Sequence, residues 1–167
     1  MSVPVEITPR GATSEPPLPP RPDQREARAL LVEDERFVGE LLAEFLTLEG
    51  YEVDRAMNGR EALELVRHQA YALIVSDVRM PDVDGPALYY ELRVVCPEVT
   101  RRMVFVTGDI MSTETRRFLD ETCLRYLEKP FTMAEFRAVV QGVLAESSKP
   151  GQSASGPPGF RGAAPGP

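Results

Sequence analysis

Between residues 28 and 147 the chain alternates short apolar runs with longer stretches of helical periodicity. Arg28 to Glu33 (RALLVE) reads as a buried strand. Phe37, Leu41, Leu42, Phe45 and Leu48 then recur at helical spacing until Gly50 supplies a stop. Tyr51 to Ala56 predicts a second strand, and Asn58 with Glu61 three residues later forms a capping box ahead of a helix whose apolar face is Ala62, Leu65 and Val66. Tyr71 to Ser76 (YALIVS) is a continuous apolar run, suited to a central parallel strand covered on both faces, and it ends at Asp77. A helix is expected from about Pro86 to Cys96, where Pro97 stops it. Met103 to Val106 predicts the fourth strand, Ser112 opens a helix through Leu119, and Leu124 to Leu127 predicts the fifth strand. Thr132 and Glu135 form a second capping box before Phe136, Val139, Val140 and Val143.

Strict alternation of strand and helix implies an α/β fold, a doubly wound parallel sheet of five strands with right-handed crossovers. In such sheets ligands sit beyond the carboxyl ends of the strands. Residues 28–147 are therefore expected to form one domain. Residues 1–27, with the run Pro16-Pro17-Leu18-Pro19-Pro20-Arg21-Pro22, and residues 148–167, rich in Gly, Pro and Ser, read as flexible tails, because neither can bury enough apolar surface to offset its ordering entropy. Pro16 to Arg21 also fits a PxxPxR ligand for an aromatic-lined groove, but such short patterns arise easily in proline-rich tails, and the run reads first as an inert semi-rigid spacer.

Composition narrows the function. A net charge of −7 without a Lys/Arg stripe excludes a footprint for direct nucleic-acid binding. No run approaches the ~20 apolar residues of a membrane span, and the first residues lack a signal peptide's apolar stretch, so a cytoplasmic location is expected. Cys96 and Cys123 have the spacing of neither a disulfide framework nor a zinc site, and both read as small buried residues.

The polar residues at the predicted strand ends carry the chemistry. Glu33 and Asp34 follow the first strand, Asp77 the third, Thr107 the fourth and Lys129 the fifth. Three carboxylates at one edge repel one another unless a cation lies between them, and oxygen ligands without His or Cys favour Mg²⁺. Mg²⁺ keeps open positions for a phosphate oxygen, and a carboxylate can itself be a nucleophile that forms an aspartyl-phosphate. The Lys129 ammonium and the Thr107 hydroxyl would then stabilise the phosphoryl oxygens.

These residues resemble the receiver domains of bacterial response regulators, over about Arg28 to Ser147. The acidic pair stands in LLVEDE, the phospho-acceptor in SDVRMPDVDG, Thr107 in FVTGD, a switch aromatic at Tyr126, and Lys129 in YLEKPF, where the family's Lys-Pro bond is usually cis. Glu33 stands where the family often has Asp, and Gly108 where it often has Ala. The resemblance implies the flavodoxin-like sheet with strand order 2-1-3-4-5 and Mg²⁺ as cofactor. It implies phosphoryl acceptance on Asp77 from a histidine kinase or phosphotransfer protein, and a third metal ligand from the backbone carbonyl of Arg79. It also implies a switch through Thr107 and Tyr126, and it puts Arg79 and Asp109 at the mouth of the site. The wording of FVTGD and YLEKPF is similar to receivers attached to hybrid sensor kinases as well as to stand-alone ones.

Other readings have less behind them. An aspartyl-nucleophile phosphatase needs a second Asp two residues after the nucleophile, where this chain has Arg79, so the chain is expected to catalyse only its own phosphorylation and slow dephosphorylation. A binding module that recruits a partner without phosphate, through the receiver surface or the proline tail, would not need the intact set Asp34, Asp77, Thr107 and Lys129. Asp82, Asp84, Gly85 and Glu91 only partly match a calcium loop and read as a turn relieved by Gly85, while His68 reads as a solvated surface residue and Phe131 as core. The downstream target is expected to be a protein.

Overall fold

The computed structural model describes residues 27–147. The two expected tails and the PxxPxR segment lie outside the described residues. The chain runs β1 (Arg28–Val32), α1 (Arg36–Leu48), β2 (Glu52–Ala56), α2 (Gly59–His68), β3 (Leu73–Asp77), α3 (Gly85–Val95), α4 (Pro97–Thr100), β4 (Met103–Thr107), α5 (Thr113–Thr122), β5 (Arg125–Glu128) and α6 (Met133–Ser147). The sheet is five-stranded, every pairing is parallel, and the order is β2-β1-β3-β4-β5. This is the expected doubly wound, flavodoxin-like topology. No helix of the described residues is long and apolar enough to cross a membrane.

Period-2 alternation splits the central strands between two cores. Leu30, Val32, Ile74, Met103 and Phe105 face Ala62, Leu88, Leu92, Phe118 and Leu119 on one side, the layer of α2, α3 and α5. Ala29, Leu31, Leu73, Val75, Val104 and Val106 face Leu42, Leu46, Phe136, Val140 and Val143 on the other, the layer of α1 and α6. Every residue of β3 and β4 is buried, as the apolar run of β3 requires. Phe105 meets Phe118 edge to face at 5.1 Å, so β4 and α5 are locked through aromatic contact.

Both capping boxes form. Asn58 Oδ1 accepts from the Glu61 N–H at 3.0 Å, and the Glu61 carboxylate accepts from the Met57 N–H at 2.8 Å, one residue before the cap. Thr132 Oγ1 accepts from the Glu135 N–H at 3.2 Å, and the Glu135 carboxylate accepts from the Thr132 N–H at 2.7 Å and from the Thr132 hydroxyl at 2.8 Å, two bonds that hold that carboxyl below its usual range. Gly50, with φ of 92°, takes the left-handed conformation that ends α1.

Several expectations need correction. Phe37, Leu41 and Leu48 are exposed, by 83% for Phe37, because α1 turns Leu42 and Leu46 to the sheet instead. Pro97 ends α3 as expected but also opens the short helix α4, a position where its missing N–H is not needed. β5 begins at Arg125, one residue after the expected Leu124. Cys96 is half-buried and Cys123 exposed, since both sit at helix ends, Cys123 in a left-handed conformation with φ of 53°.

Candidate functional site

Parallel strands end together, and this brings Glu33, Asp34, Asp77, Thr107 and Lys129 to one edge of the sheet. The carboxylate oxygens of Glu33, Asp34 and Asp77 lie within 4.8 Å of one another, with Glu33 1% and Asp77 8% exposed. Lys129 reaches in from the loop after β5, its Nζ donating to Glu33 Oε2 at 3.0 Å and to Asp77 Oδ2 at 3.4 Å. The Lys129 N–H also donates to the Thr107 carbonyl at 2.8 Å, so the β4 end positions the lysine backbone. The Lys129-Pro130 peptide bond is cis.

The charges of the site bear on what it can bind. Burial pushes the Glu33 and Asp77 carboxyls above their ordinary values, even though Lys129 opposes the shift in both. Burial also works against the Lys129 ammonium, but its bond to Glu33 and the charge of Asp77 outweigh that and raise it. Three carboxylates beside one ammonium leave the cluster net acidic by count. A hard divalent cation fits the remaining charge, because three carboxylates and no His or Cys make an all-oxygen donor set.

Asp77 is positioned by close packing beneath it. A Cβ on Gly85 would lie 2.5 Å from the Asp77 carbonyl oxygen and 2.9 Å from the Phe105 ring. The sequence predicts Gly85 as the residue that relieves a turn. The structure corrects this: Gly85 is the first residue of α3 and is there for close approach, while the positive φ of the loop, 66°, belongs to Asp82. Asp84 caps α3 by accepting from the Ala87 N–H at 2.9 Å. No sequence signal separates a glycine needed for space from one needed for φ.

Thr107 is 1% exposed at the end of β4, and its Oγ1 accepts from the Asp109 N–H at 3.1 Å. Arg79 and Asp109 form an ion pair that joins the loops after β3 and β4, with both side chains exposed. Asp109 also accepts from the Ser112 N–H at 3.1 Å, which ties this pair to the start of α5. Tyr126 lies on β5, 45% exposed. His68 is exposed at the end of α2, remote from the strand ends that carry the acidic cluster, and Phe131 stacks on Phe136 in the core.

Residues 29–141 match the profile of the response regulator receiver domain. Among relatives, Response regulator Rre1 of Synechocystis is 36% identical over 117 residues, covering 70% of this chain and 51% of that protein. Sensor kinase CckA of Brucella abortus is 35% identical over 120 residues, 71% of this chain and 12% of the kinase. The chain thus spans about half the length of the regulators it matches and a small part of the kinase. The response regulator TrrA of Thermotoga maritima, solved in complex with Mg²⁺ and BeF, superposes with a TM-score of 0.62 at 32% identity, covering 71% of this chain and 99% of that one. Fold, strand-end chemistry and relatives agree, and the chain belongs to the response regulator receiver-domain family of two-component signalling.

Proposed function

We propose that this chain accepts a phosphoryl group on Asp77 from a phosphohistidine of a histidine kinase or phosphotransfer protein, and acts as a switch or relay. The observation that carries this reading is the buried Asp77 carboxylate at the strand edge, with the Lys129 ammonium 3.4 Å away. An Asp77 oxygen attacks phosphorus, the P–N bond breaks, and the donor imidazole leaves with the electron pair. Lys129 balances charge on the phosphoryl oxygens, and the Thr107 hydroxyl, which accepts from Asp109, keeps its proton to donate to one of them. Glu33, Asp34, Asp77 and the backbone carbonyl of Arg79 would hold Mg²⁺, which when bound screens the charge between carboxylates and phosphoryl group. Thr107 drawn toward the phosphoryl group, with rotation of Tyr126, would pass the change to the surface. Arg79 occupies the place where a turnover phosphatase would need an acid and is paired with Asp109, which supports slow self-dephosphorylation over turnover.

Intact mass after incubation with acetyl phosphate tests the proposal. A single acid-stable, alkali-labile phosphoryl group is expected, dependent on Mg²⁺ and absent from Asp77→Ala. An equal mass gain in that variant would overturn the assignment.

A further inference from the structure

At the edge of the sheet opposite the phosphoryl site, α3, α4 and α5 enclose an open groove of about 710 Å³. Tyr89, Tyr90, Arg93, Pro97, Arg101 and Glu121 line it. Tyr90 is 45% exposed and meets both Tyr89 and Phe118 edge to face, at 5.5 and 6.0 Å, so its ring is held upright at the groove wall. The Arg93 guanidinium lies over the Tyr89 ring at 5.8 Å. Val94 and Val95 beside it are 83% and 57% exposed. Tyr89 is 8% exposed and belongs to the core, so Tyr90 is the exposed aromatic of the groove, and with Pro97 and flanking charges it offers a polyproline helix a stacking surface.

The same chain carries such a ligand. Pro16, Pro19 and Pro22 recur every third residue, the period that puts them on one edge of a polyproline helix, with Arg21 between the last two. We propose that Pro16 to Pro22 docks in cis in the α3–α5 groove, its prolines on Tyr90 and Arg21 against Glu121.

Position supports this occupant. The strands are parallel and the helices return antiparallel to them, so the carboxyl ends of α3 and α5 share an edge with Arg28, where β1 begins. β1 and β4 are two strands apart, about 10 Å across the sheet, and the helix layer adds a depth on the order of 10 Å. The seven peptide steps from Arg21 to Arg28 reach about 23 Å when extended, which covers that path. Charges also match. Glu121 is bridged to Arg117 four residues earlier, but both side chains are exposed, so that pair is weak and easily exchanged for Arg21. A tether this short supplies an effective concentration in the millimolar range, so weak stacking suffices. The proposal concerns the unphosphorylated chain and stands independently of Asp77 chemistry.

A nitroxide at residue 18 of the full chain tests it, using Leu18→Cys in a Cys96→Ser, Cys123→Ser background. The amides of Tyr90, Arg101 and Glu121 are expected to broaden several-fold more than those of α1 and α6, unchanged on dilution. Broadening spread evenly, or centred on α1, would overturn the proposal. So would broadening that disappears when unlabelled chain is added, since the occupant would then be a second copy. Tyr90→Ala, or Pro16→Ala with Pro19→Ala where the first variant does not fold, should abolish the local effect. Glu121→Arg should weaken it and Arg21→Glu on that background restore it. Persistence of the full effect in the proline variant would rule the docking out.

Discussion

Glu33 and Asp34 are adjacent in sequence but differ in what holds them. One Glu33 oxygen accepts from Lys129 and the other from the Glu35 N–H at 3.2 Å, whereas Asp34 is only half-buried at the edge of the cluster. Asp34→Ala should therefore weaken Mg²⁺ binding more than Glu33→Ala, as read by metal titration of a spectral change in the two variants. The reverse order would place the metal on the Glu33 side. Arg79 and Asp109 act at the same scale. Their ion pair is exposed and contributes under about 1 kcal/mol to stability, but under the proposed function it lies on the approach of water to a phosphorylated Asp77. If the pair raises the hydrolysis barrier by about 1.4 kcal/mol, it prolongs the phosphorylated state roughly tenfold. Arg79→Ala and Asp109→Ala are each expected to shorten that lifetime, and the double variant to decay no faster than the quicker single one. Phosphate release against time measures this, and unchanged lifetimes in both single variants would remove the pair from any gating role.

Among the elements, the start of α3 bears most directly on the site. Gly85 packs against both the Asp77 carbonyl and Phe105, so a methyl group there must displace either the end of β3 or the aromatic contact that joins β4 to α5. Gly85→Ala should lower stability by about 1–3 kcal/mol, the usual range for overpacking a filled core. Its urea midpoint should fall without a change of slope, and phosphorylation of Asp77 should slow with it. An unchanged midpoint would mean that the loop yields freely.

On the whole molecule, charge is arranged at two poles. At the carboxyl edge of the sheet three carboxylates, Glu33, Asp34 and Asp77, lie beside one ammonium, that of Lys129. At the amino edge charge is closed into a network: Arg28 pairs with Asp54 at 2.9 Å and Glu52 at 3.1 Å, and the Tyr71 hydroxyl donates to Asp54 at 2.9 Å. Burial, then the bond to Asp54, pushes the Tyr71 phenol up to about 12. Its unfolded value is about 10, so the folded state holds this proton more tightly. The stabilisation is full below about pH 10 and is lost as pH rises toward 12. Urea unfolding across that window should show a smaller alkaline loss in Tyr71→Phe than in the wild type, on top of a neutral-pH deficit of about 1 kcal/mol for the missing hydrogen bond. Equal alkaline losses would exclude Tyr71 as the titrating group.

What the sequence determined by itself was what local rules govern. The apolar runs of β1, β3 and β4, the capping boxes at Asn58 and Thr132, and the polar residues just past each strand are signals within a few residues of chain, and alternation of strand and helix then allows few topologies. The meeting of Glu33, Asp34, Asp77, Thr107 and Lys129 followed because parallel strands must end on one edge. Tertiary structure decided the rest. Which face of α1 turns inward depends on how the helix lies on the sheet, so Phe37 shares the period of the core residues and yet stays in solvent. The space that excludes a Cβ at Gly85 is set by β4 and not by the turn around it. The bond of Lys129 to Glu33 spans 96 residues and that of Arg79 to Asp109 spans 30, contacts that exist only once the strands have taken their order.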